Sequence, residues 1–355
     1  MSSVALTSAE TRVKAPADRA IAAWLIACAG MVFAMAIIGA ITRLTESGLS
    51  IVEWKPIAGT IPPLSEAAWL VEFDKYKATP EYQIRNAGMS LAEFKQIFFW
   101  EWFHRLWGRL IGVVFAVPFL WFWLTGRVRK GLMPTLAGLF VLGGLQGALG
   151  WYMVMSGLVS RPDVSHYRLA AHLSLAIVIY GALLAVALRL LDPAPEGGRS
   201  PLAPSLMRHG WVALALASVT IVWGAFVAGL DAGLAYNSWP LMNGTFAPSE
   251  MWNLSPAWMN FVENTAAVQF AHRWLAIATA AAVLGLAWRA VKAGAGARLR
   301  GLGIALAVAV VVQVALGIST LLLFVPISLG AMHQGGALVL VGLLVWTLTE
   351  LRRPA

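Results

Sequence analysis

FFWEWFHRLWGRLIGVVFAVPFLWFWL, residues 98–124, is a long apolar run whose first half carries Glu101, His104, Arg105 and Arg109. As a helix it is long enough to cross a hydrocarbon core of about 30 Å. Ionisable side chains at that depth are costly unless they face a protein interior or reach an interface. The stretch therefore predicts a membrane span with a polar task near one end.

Similar apolar runs occur at 20–41, 132–156, 166–190, 209–230, 265–288, 300–324 and 328–348, giving eight predicted spans. With 59% hydrophobic and 12% charged residues in 355, the chain has the balance of a membrane protein and not of an ordinary soluble domain. The net charge of +9 follows topology and predicts no nucleic-acid partner. Arg12, Lys14 and Arg19, then Arg127, Arg129 and Lys130, then Arg189, Arg199 and Arg208, then Arg289, Lys292, Arg298 and Arg300, then Arg352 and Arg353 all fall on one side of an eight-helix chain. The positive-inside rule makes that side cytoplasmic and puts both termini there. Segments 231–264 and 325–328, assigned to the outside, hold no Lys or Arg, while the long first outer loop, about 42–97, mixes six basic with seven acidic residues. Cys28 is the only cysteine, which excludes an internal disulfide or a multi-cysteine metal site. The first 20 residues carry no short cleavable apolar segment, so the first span is expected to be retained.

The chain repeats itself. At an offset of 185, Gly39-Ala40 meets Gly224-Ala225, Gly48-Leu49 meets Gly233-Leu234, Trp54 meets Trp239, Gly59-Thr60 meets Gly244-Thr245 and Pro63 meets Pro248. Beyond the first loop the offset falls to 168, where His104-Arg105 meets His272-Arg273. At 167, Gln146 and Ala148-Leu149-Gly150 meet Gln313 and Ala315-Leu316-Gly317; at 161, Ala170 and His172 meet Ala331 and His333. Four spans per repeat return the chain to the same side, so the expected fold is an all-α integral membrane protein of two pseudo-symmetric four-helix bundles related by an axis along the membrane normal. The expected division is a cytoplasmic segment 1–19, an N-terminal bundle 20–191, a linker 192–208 rich in Pro and Gly, a C-terminal bundle 209–350 and a tail 351–355.

Four of six histidines, His104, His172, His272 and His333, occupy repeat-equivalent places, each one to two turns inside an even-numbered span from the outer side. Two imidazoles facing each other across a bundle ligate a haem iron from both faces. A single intramembrane His serves as readily as a helix contact or proton relay; four in register favour two haem sites. His166 and His209, at helix ends, are expected to be solvated or to touch headgroups. Arg105, Arg109 and Arg273 sit where they would meet haem propionates, with snorkelling to headgroups the competing use of Arg109. Arg43 and Arg168 lie equally close to the outer edge, and Trp100, Trp102, Trp107 and Trp151 suit either a porphyrin edge or an interfacial aromatic belt.

The halves differ one turn before each first histidine, where Glu101 answers to Gln269. A carboxylate beside one macrocycle takes or supplies protons; Gln only hydrogen-bonds. The competing reading is a surface ion pair of Glu101 with Arg105. The extra loop length in the same half, containing FDKYKATPEYQIRNAGMSLAEFKQIFF, suits either a lid over that site or a cap with no part in the chemistry.

GAITRLTESGLSIVEWKPIAGTIPP, FWEWFHRLWGR, LQGALGWYMVMSGL, RLAAHLSLA, FAHRWLA and AMHQGGAL, in that order, resemble the haem A synthase family of the mitochondrial and alphaproteobacterial type, over residues 22–348. The resemblance implies oxidation of the C8 methyl of haem O, the farnesylated haem, to a formyl group, giving haem A for terminal oxidases. The implied route is successive hydroxylation followed by loss of water from a geminal diol. It further implies that His104 and His172 hold the substrate haem, that Glu101 is the essential glutamate, and that His272 and His333 hold a haem B that passes electrons; Arg105 and Arg273, read from their own positions, are the expected cofactor-binding arginines. Haem O synthase and cytochrome oxidase assembly factors are the implied partners, alongside membrane lipid, and a bacterial inner membrane is the implied location. A family branch carries a cysteine pair in the first outer loop; its absence here removes any thiol chemistry from that loop. Two rivals remain: a di-haem b-type electron-transfer cytochrome, which leaves Glu101 against Gln269 unexplained, and a duplicated proton-coupled transporter, which leaves the histidine pairs unexplained.

Overall fold

The computed structural model describes residues 16–55, 57–159, 163–191, 203–293 and 296–352. Among these, eight helices are long and apolar enough to span a membrane: α1 (Pro16–Leu44), α4 (Leu91–Leu124), α5 (Met133–Val159), α6 (His166–Leu191), α7 (Ala203–Gly229), α9 (Thr265–Lys292), α10 (Ala297–Leu322) and α11 (Ile327–Leu351). Short helices α2 (Glu66–Lys77), α3 (Pro80–Ile84) and α8 (Asn260–Glu263) lie in the two long connections that join the first and second spans of each half. The chain is an all-α integral membrane protein, as its apolar runs predict. The expected linker 192–208 is described only from 203, where α7 begins; residues 1–15 and 353–355 of the expected terminal segments, with Arg12, Lys14 and Arg353, likewise lie outside the described residues, as does Arg199.

Every span overruns its apolar core, most of all α4, which starts at Leu91 and not at residue 98. The reason is a capping box: Ser90 Oγ accepts from the Glu93 N–H while a Glu93 carboxylate oxygen accepts from the Ser90 N–H, satisfying donors that a helix start otherwise leaves orphaned. Asn264 does the same for α9, its side-chain oxygen accepting from the N–H groups of Ala266 and Ala267. These two capped helix starts place Glu101 and His104, and Gln269 and His272, at fixed distances from the ends of α4 and α9.

Neighbour relations follow the duplication. Helix α1 packs on α4 and α6, and α5 touches both, so α4 and α6 stand diagonally opposed; in the second half α9 and α11 are diagonal, each flanked by α7 and α10. The halves meet where α1 and α6 pack on α7 and α11. One buried cluster, including Ile21, Leu25, Phe115, Phe119, Leu136 and Leu183, fills the first half at the end away from His104 and His172; Leu206, Val283, Leu286, Leu306 and Leu344 fill the corresponding end of the second. Helix α9 lies along α10, whereas α4 meets α5 only briefly.

His166 corrects an expectation. It is 4% exposed, packed against Phe226 and Tyr167, and its Nε2 lies 3.8 Å from Glu263 Oε2. A helix end is solvated only where nothing covers it, and here Gly229 lets the end of α7 press on the start of α6. His209 is half-buried, its Nε2 2.9 Å from the Ala282 carbonyl oxygen and its Nδ1 3.1 Å from Arg289 Nη1.

A Cβ on Gly229 would lie 2.4 Å from His166 Cβ and 2.8 Å from its Cα, neither of which can move without the helix. Gly229→Val is expected to lower unfolding stability in detergent by about 1–3 kcal/mol, read as a reduced thermal midpoint; an unchanged midpoint would contradict this close contact between the halves.

Candidate haem sites

Each of the four repeat-related histidines sits on a glycine of a neighbouring helix. A methyl group on Gly39 would lie 3.2 Å from His104 Cε1; on Gly150, 3.0 Å from His172 Cε1; on Gly224, 3.1 Å from His272 Cε1; on Gly317, 2.8 Å from His333 Cε1. The imidazoles therefore lie almost on helix backbone, where any side chain would push them away. The glycines recur in the repeat as the histidines do, each at the offset of its own segment: Gly39 with Gly224 at 185 and Gly150 with Gly317 at 167, beside His104 with His272 at 168 and His172 with His333 at 161, so cradle and ring recur together. The ring fixes the height of two facing nitrogens, and the diagonal placement of α4 against α6 and α9 against α11 turns each pair across a bundle interior. His104 lies within electrostatic reach of His172, and His272 of His333.

The second member of each pair is also held by a glutamine. Gln146 Nε2 donates to the His172 carbonyl oxygen at 3.1 Å and lies 3.3 Å from its Nε2; Gln313 Nε2 donates to the His333 carbonyl oxygen at 2.9 Å and lies 3.2 Å from its Nδ1. His272 Nδ1 lies 3.1 Å from the Thr220 carbonyl oxygen, so its N–H is used there and Nε2 is left as a lone-pair donor, the arrangement that metal-bound imidazoles adopt. His104 Nδ1 and His172 Nδ1 are buried without a hydrogen-bond partner. Buried polar atoms left open mark places completed by something other than protein. With two neutral nitrogen donors per bundle, no cysteine nearby, and glycine-backed rings, the residues fit bis-imidazole ligation of a haem iron.

Around Glu101 the first half builds a polar knot in the N-terminal part of α4. Glu101 is 3% exposed; its Oε2 accepts from Ser50 Oγ and from the Ile51 N–H, both at 2.7 Å, and its Oε1 from Arg105 Nη2 at 2.5 Å. Arg105 also donates to the carbonyl oxygens of Ile51 at 2.8 Å and Glu53 at 3.2 Å. The second half repeats the skeleton: Arg273 donates to Gln269 Oε1 at 2.8 Å and to the carbonyl oxygens of Tyr236 at 2.7 Å and Ser238 at 2.8 Å, the repeat equivalents of Ile51 and Glu53. Trp54 and Trp239 stack over the two guanidiniums at 5.8 and 5.9 Å. What changes is the charge and its companion. Gln269 Nε2 donates to the Ala232 carbonyl oxygen at 2.6 Å, and Ala235 stands where Ser50 stands in the first half.

The ion pair read as an alternative for Glu101 is thus present, but inside the protein and not at its surface. Arg105 and Arg273 spend their terminal nitrogens on loop carbonyls and on the residue one turn earlier. Arg109 Nη2 donates to the Lys55 carbonyl oxygen at 3.0 Å, Arg168 stacks on Tyr152 at 3.7 Å, and Arg43 reaches across the halves to Asp231 Oδ1 at 2.8 Å. Trp102 and Trp107 donate to the carbonyl oxygens of Thr60 at 3.2 Å and Met31 at 2.9 Å. Sequence reasoning missed Ser50 and the cradle glycines. The first was visible as Ser50 against Ala235 at offset 185, the second as Gly39 and Gly150 recurring at Gly224 and Gly317.

The extra loop of the first half folds over this knot. Phe73 and Tyr76 of α2 and Phe94 and Phe98 of α4 form a buried aromatic cluster, joined by Trp69, Tyr82, Ile51 and Ile97. Lys55 and Lys75 pair with Glu53 at 2.5 and 2.8 Å, and these bonds hold the Glu53 carboxyl down at about 2, so it stays charged at the outer rim.

Residues 22–345 match the model of the COX15-CtaA family, described as cytochrome oxidase assembly protein. Among curated relatives, a haem A synthase from Rhodospirillum centenum is 65% identical over 100% of this chain and 94% of its own. One from Parvibaculum lavamentivorans is 50% identical over 94% of this chain and 95% of its own, and one from Nitrosospira multiformis 49% over 97% of each. With the family model and the relatives in agreement over nearly its whole length, the chain belongs to the COX15-CtaA family of cytochrome oxidase assembly proteins.

Proposed function

We propose that the protein is a haem A synthase, an oxidoreductase of the membrane that converts the C8 methyl of haem O to the formyl group of haem A. The observation that carries this reading is a pair of matched bis-histidine sites of which only one has a buried carboxylate. In the N-terminal bundle, residues 20–191, His104 and His172 hold the substrate haem; in the C-terminal bundle, residues 209–350, His272 and His333 hold haem B. When bound, haem B supplies one-electron chemistry at the depth of the substrate.

Glu101 is the group that manages protons. Oxidising a methyl to a formyl group releases protons as electrons leave, and a buried carboxylate one turn from His104 is placed to receive them. Ser50 and the Ile51 N–H aim its Oε2, while Arg105 answers its charge so that it persists in a poorly solvated setting. Gln269 keeps the geometry without basicity, as suits a site that passes only electrons. Packing supports the same division. Gly143 of α5 is exposed where α10 has the buried Val310, and α4 meets α5 only briefly where α9 lies along α10. The looser first half suits a haem that enters and leaves; the tighter second half suits one that stays. Both termini face the cytoplasm in this reading, the haem sites lie toward the outer side of a bacterial inner membrane, and haem O synthase is the upstream partner. The di-haem cytochrome remains the alternative, favoured by the symmetric His–Gly pairs and opposed by Glu101.

Glu101→Gln is expected to retain both haems and to abolish haem A formation, a loss of about a hundredfold or more, measured as the haem O to haem A ratio extracted from cells; wild-type haem A would remove Glu101 from the chemistry. Gly317→Val, which drives His333 off its seat, is expected to lose haem B while haem O stays bound. Full haem B retention in that variant would sever His333 from the cofactor.

A further inference from the structure

The loop that caps Glu101 contains a second buried carboxyl that the mechanism above does not use. Glu81, at the start of α3, is 4% exposed, and its Oε2 is buried with no hydrogen-bond partner. Its carboxyl also bonds to the Tyr76 hydroxyl, which in turn accepts from Asn86 Nδ2 at 2.7 Å. Asn86 is only half-buried, so this chain of polar groups ends at the outer surface. Tyr76 belongs to the same aromatic cluster as Ile51 and Ile97: the Ile51 N–H holds Glu101 Oε2, and the Ile97 carbonyl oxygen accepts from Ser50 Oγ at 3.4 Å. Glu81 and Glu101 are close enough to repel when both are charged. The loop is the segment by which the first half exceeds the second, so the C-terminal site has no counterpart of Glu81.

We propose that Glu81 is the proton-transfer station between Glu101 and the outer surface. This rests on the synthase reading, since it is substrate oxidation that loads Glu101 with protons. In each transfer the Glu101 carboxyl gives its proton, carried by water between the two groups, to the Glu81 carboxylate; Glu101 returns to its charged form, and Glu81 releases the proton outward beside Tyr76 and Asn86. No electrons move. The aromatic cluster that seals Glu101 from outside makes such a station necessary, because the knot itself offers Glu101 only donors. Glu81 is a positioning residue in this sense and touches neither haem.

The groups facing Glu81 are Tyr76 on α2, Glu101 on α4, Glu46 after α1 and Arg85 one turn on, itself paired with Glu46 and Asp163; α5 brings only Tyr152 as a titratable side chain. Burial, with Glu101 and Glu46 adding to it against the Tyr76 bond and Arg85, raises the Glu81 carboxyl to about 8, so both of its forms are present near neutrality, as a relay requires.

The test uses infrared titration and turnover of the purified full-length protein. The carboxylic C=O band assigned to Glu81 by its loss in Glu81→Gln and its displacement in Glu81→Asp should titrate near 8, and in Glu101→Gln its midpoint should fall because a negative neighbour is gone. Haem O turnover in the wild type should rise toward pH 8; in Glu81→Gln it should drop about tenfold and lose that rise, with haem content unchanged, while Glu81→Asp recovers part of the rate. A midpoint indifferent to Glu101→Gln, or a Glu81→Gln variant with the wild-type rate and pH profile, would overturn the proposal. If the wild-type protein converts no haem O, it is the synthase reading that fails, and the coupled titration still decides whether the two carboxyls communicate.

Discussion

A carboxylate buried near the end of a membrane span must have its charge answered, and the Glu101–Arg105 pair is the answer on which this end of the first half is built. Removing one partner of such a pair costs about 3–5 kcal/mol, because the other is left charged and unpaired in a poorly polarisable setting. Arg105 therefore has a fixed place, and with it the carbonyl oxygens of Ile51 and Glu53 that it also binds. Those bonds tie the strand of chain after α1 to α4, close the roof over the bundle and set the rotation of α4. His104, one turn below Glu101, inherits that rotation. The second half keeps the arginine, the loop carbonyls and the tryptophan, and substitutes an amide for the acid. Scaffold and charge are thereby separable: the clamp is common to both sites, and the carboxylate belongs to one.

The second constraint is distance between helices. A histidine nitrogen can face another across a bundle only if its ring is pressed back against the helix behind it, and glycine is the residue that permits this at four places. The four contacts are alike within 0.4 Å, from 2.8 to 3.2 Å, although they join different pairs of helices. Such agreement across an old duplication argues that ring position is what was kept, while the packing around it drifted apart: Val310 is 2% exposed within a core cluster, and its counterpart Gly143 has open space before it.

Much of this was legible beforehand because lipid imposes strong rules. Eight spans, the two halves and the histidine quartet follow from apolar run length and from residue identities that recur at fixed offsets. Three things were not legible, each for a physical reason. Burial of His166 depends on Gly229 meeting it from another helix, a contact between residues far apart in the chain with no local signature. The arginines suit propionates by charge and height; that their terminal nitrogens bind loop carbonyls depends on where residues 51–53 and 236–241 fold back. Glu81 sits in a loop of mixed charge, where a buried carboxyl and a solvated one have the same sequence, and only the aromatic cluster around Tyr76 distinguishes them. Ser50 could have been found, since comparing the halves position by position exposes Ser50 against Ala235.

The central claim is that the two histidine pairs hold chemically different haems. Purifying the wild-type protein from cells that make haem O, extracting its haems and identifying each by mass tests it most directly. The account predicts haem B together with haem O, haem A or a hydroxylated form between them. Haem B as the sole species, with haem O available in the same membranes, would contradict it and leave an electron-transfer cytochrome.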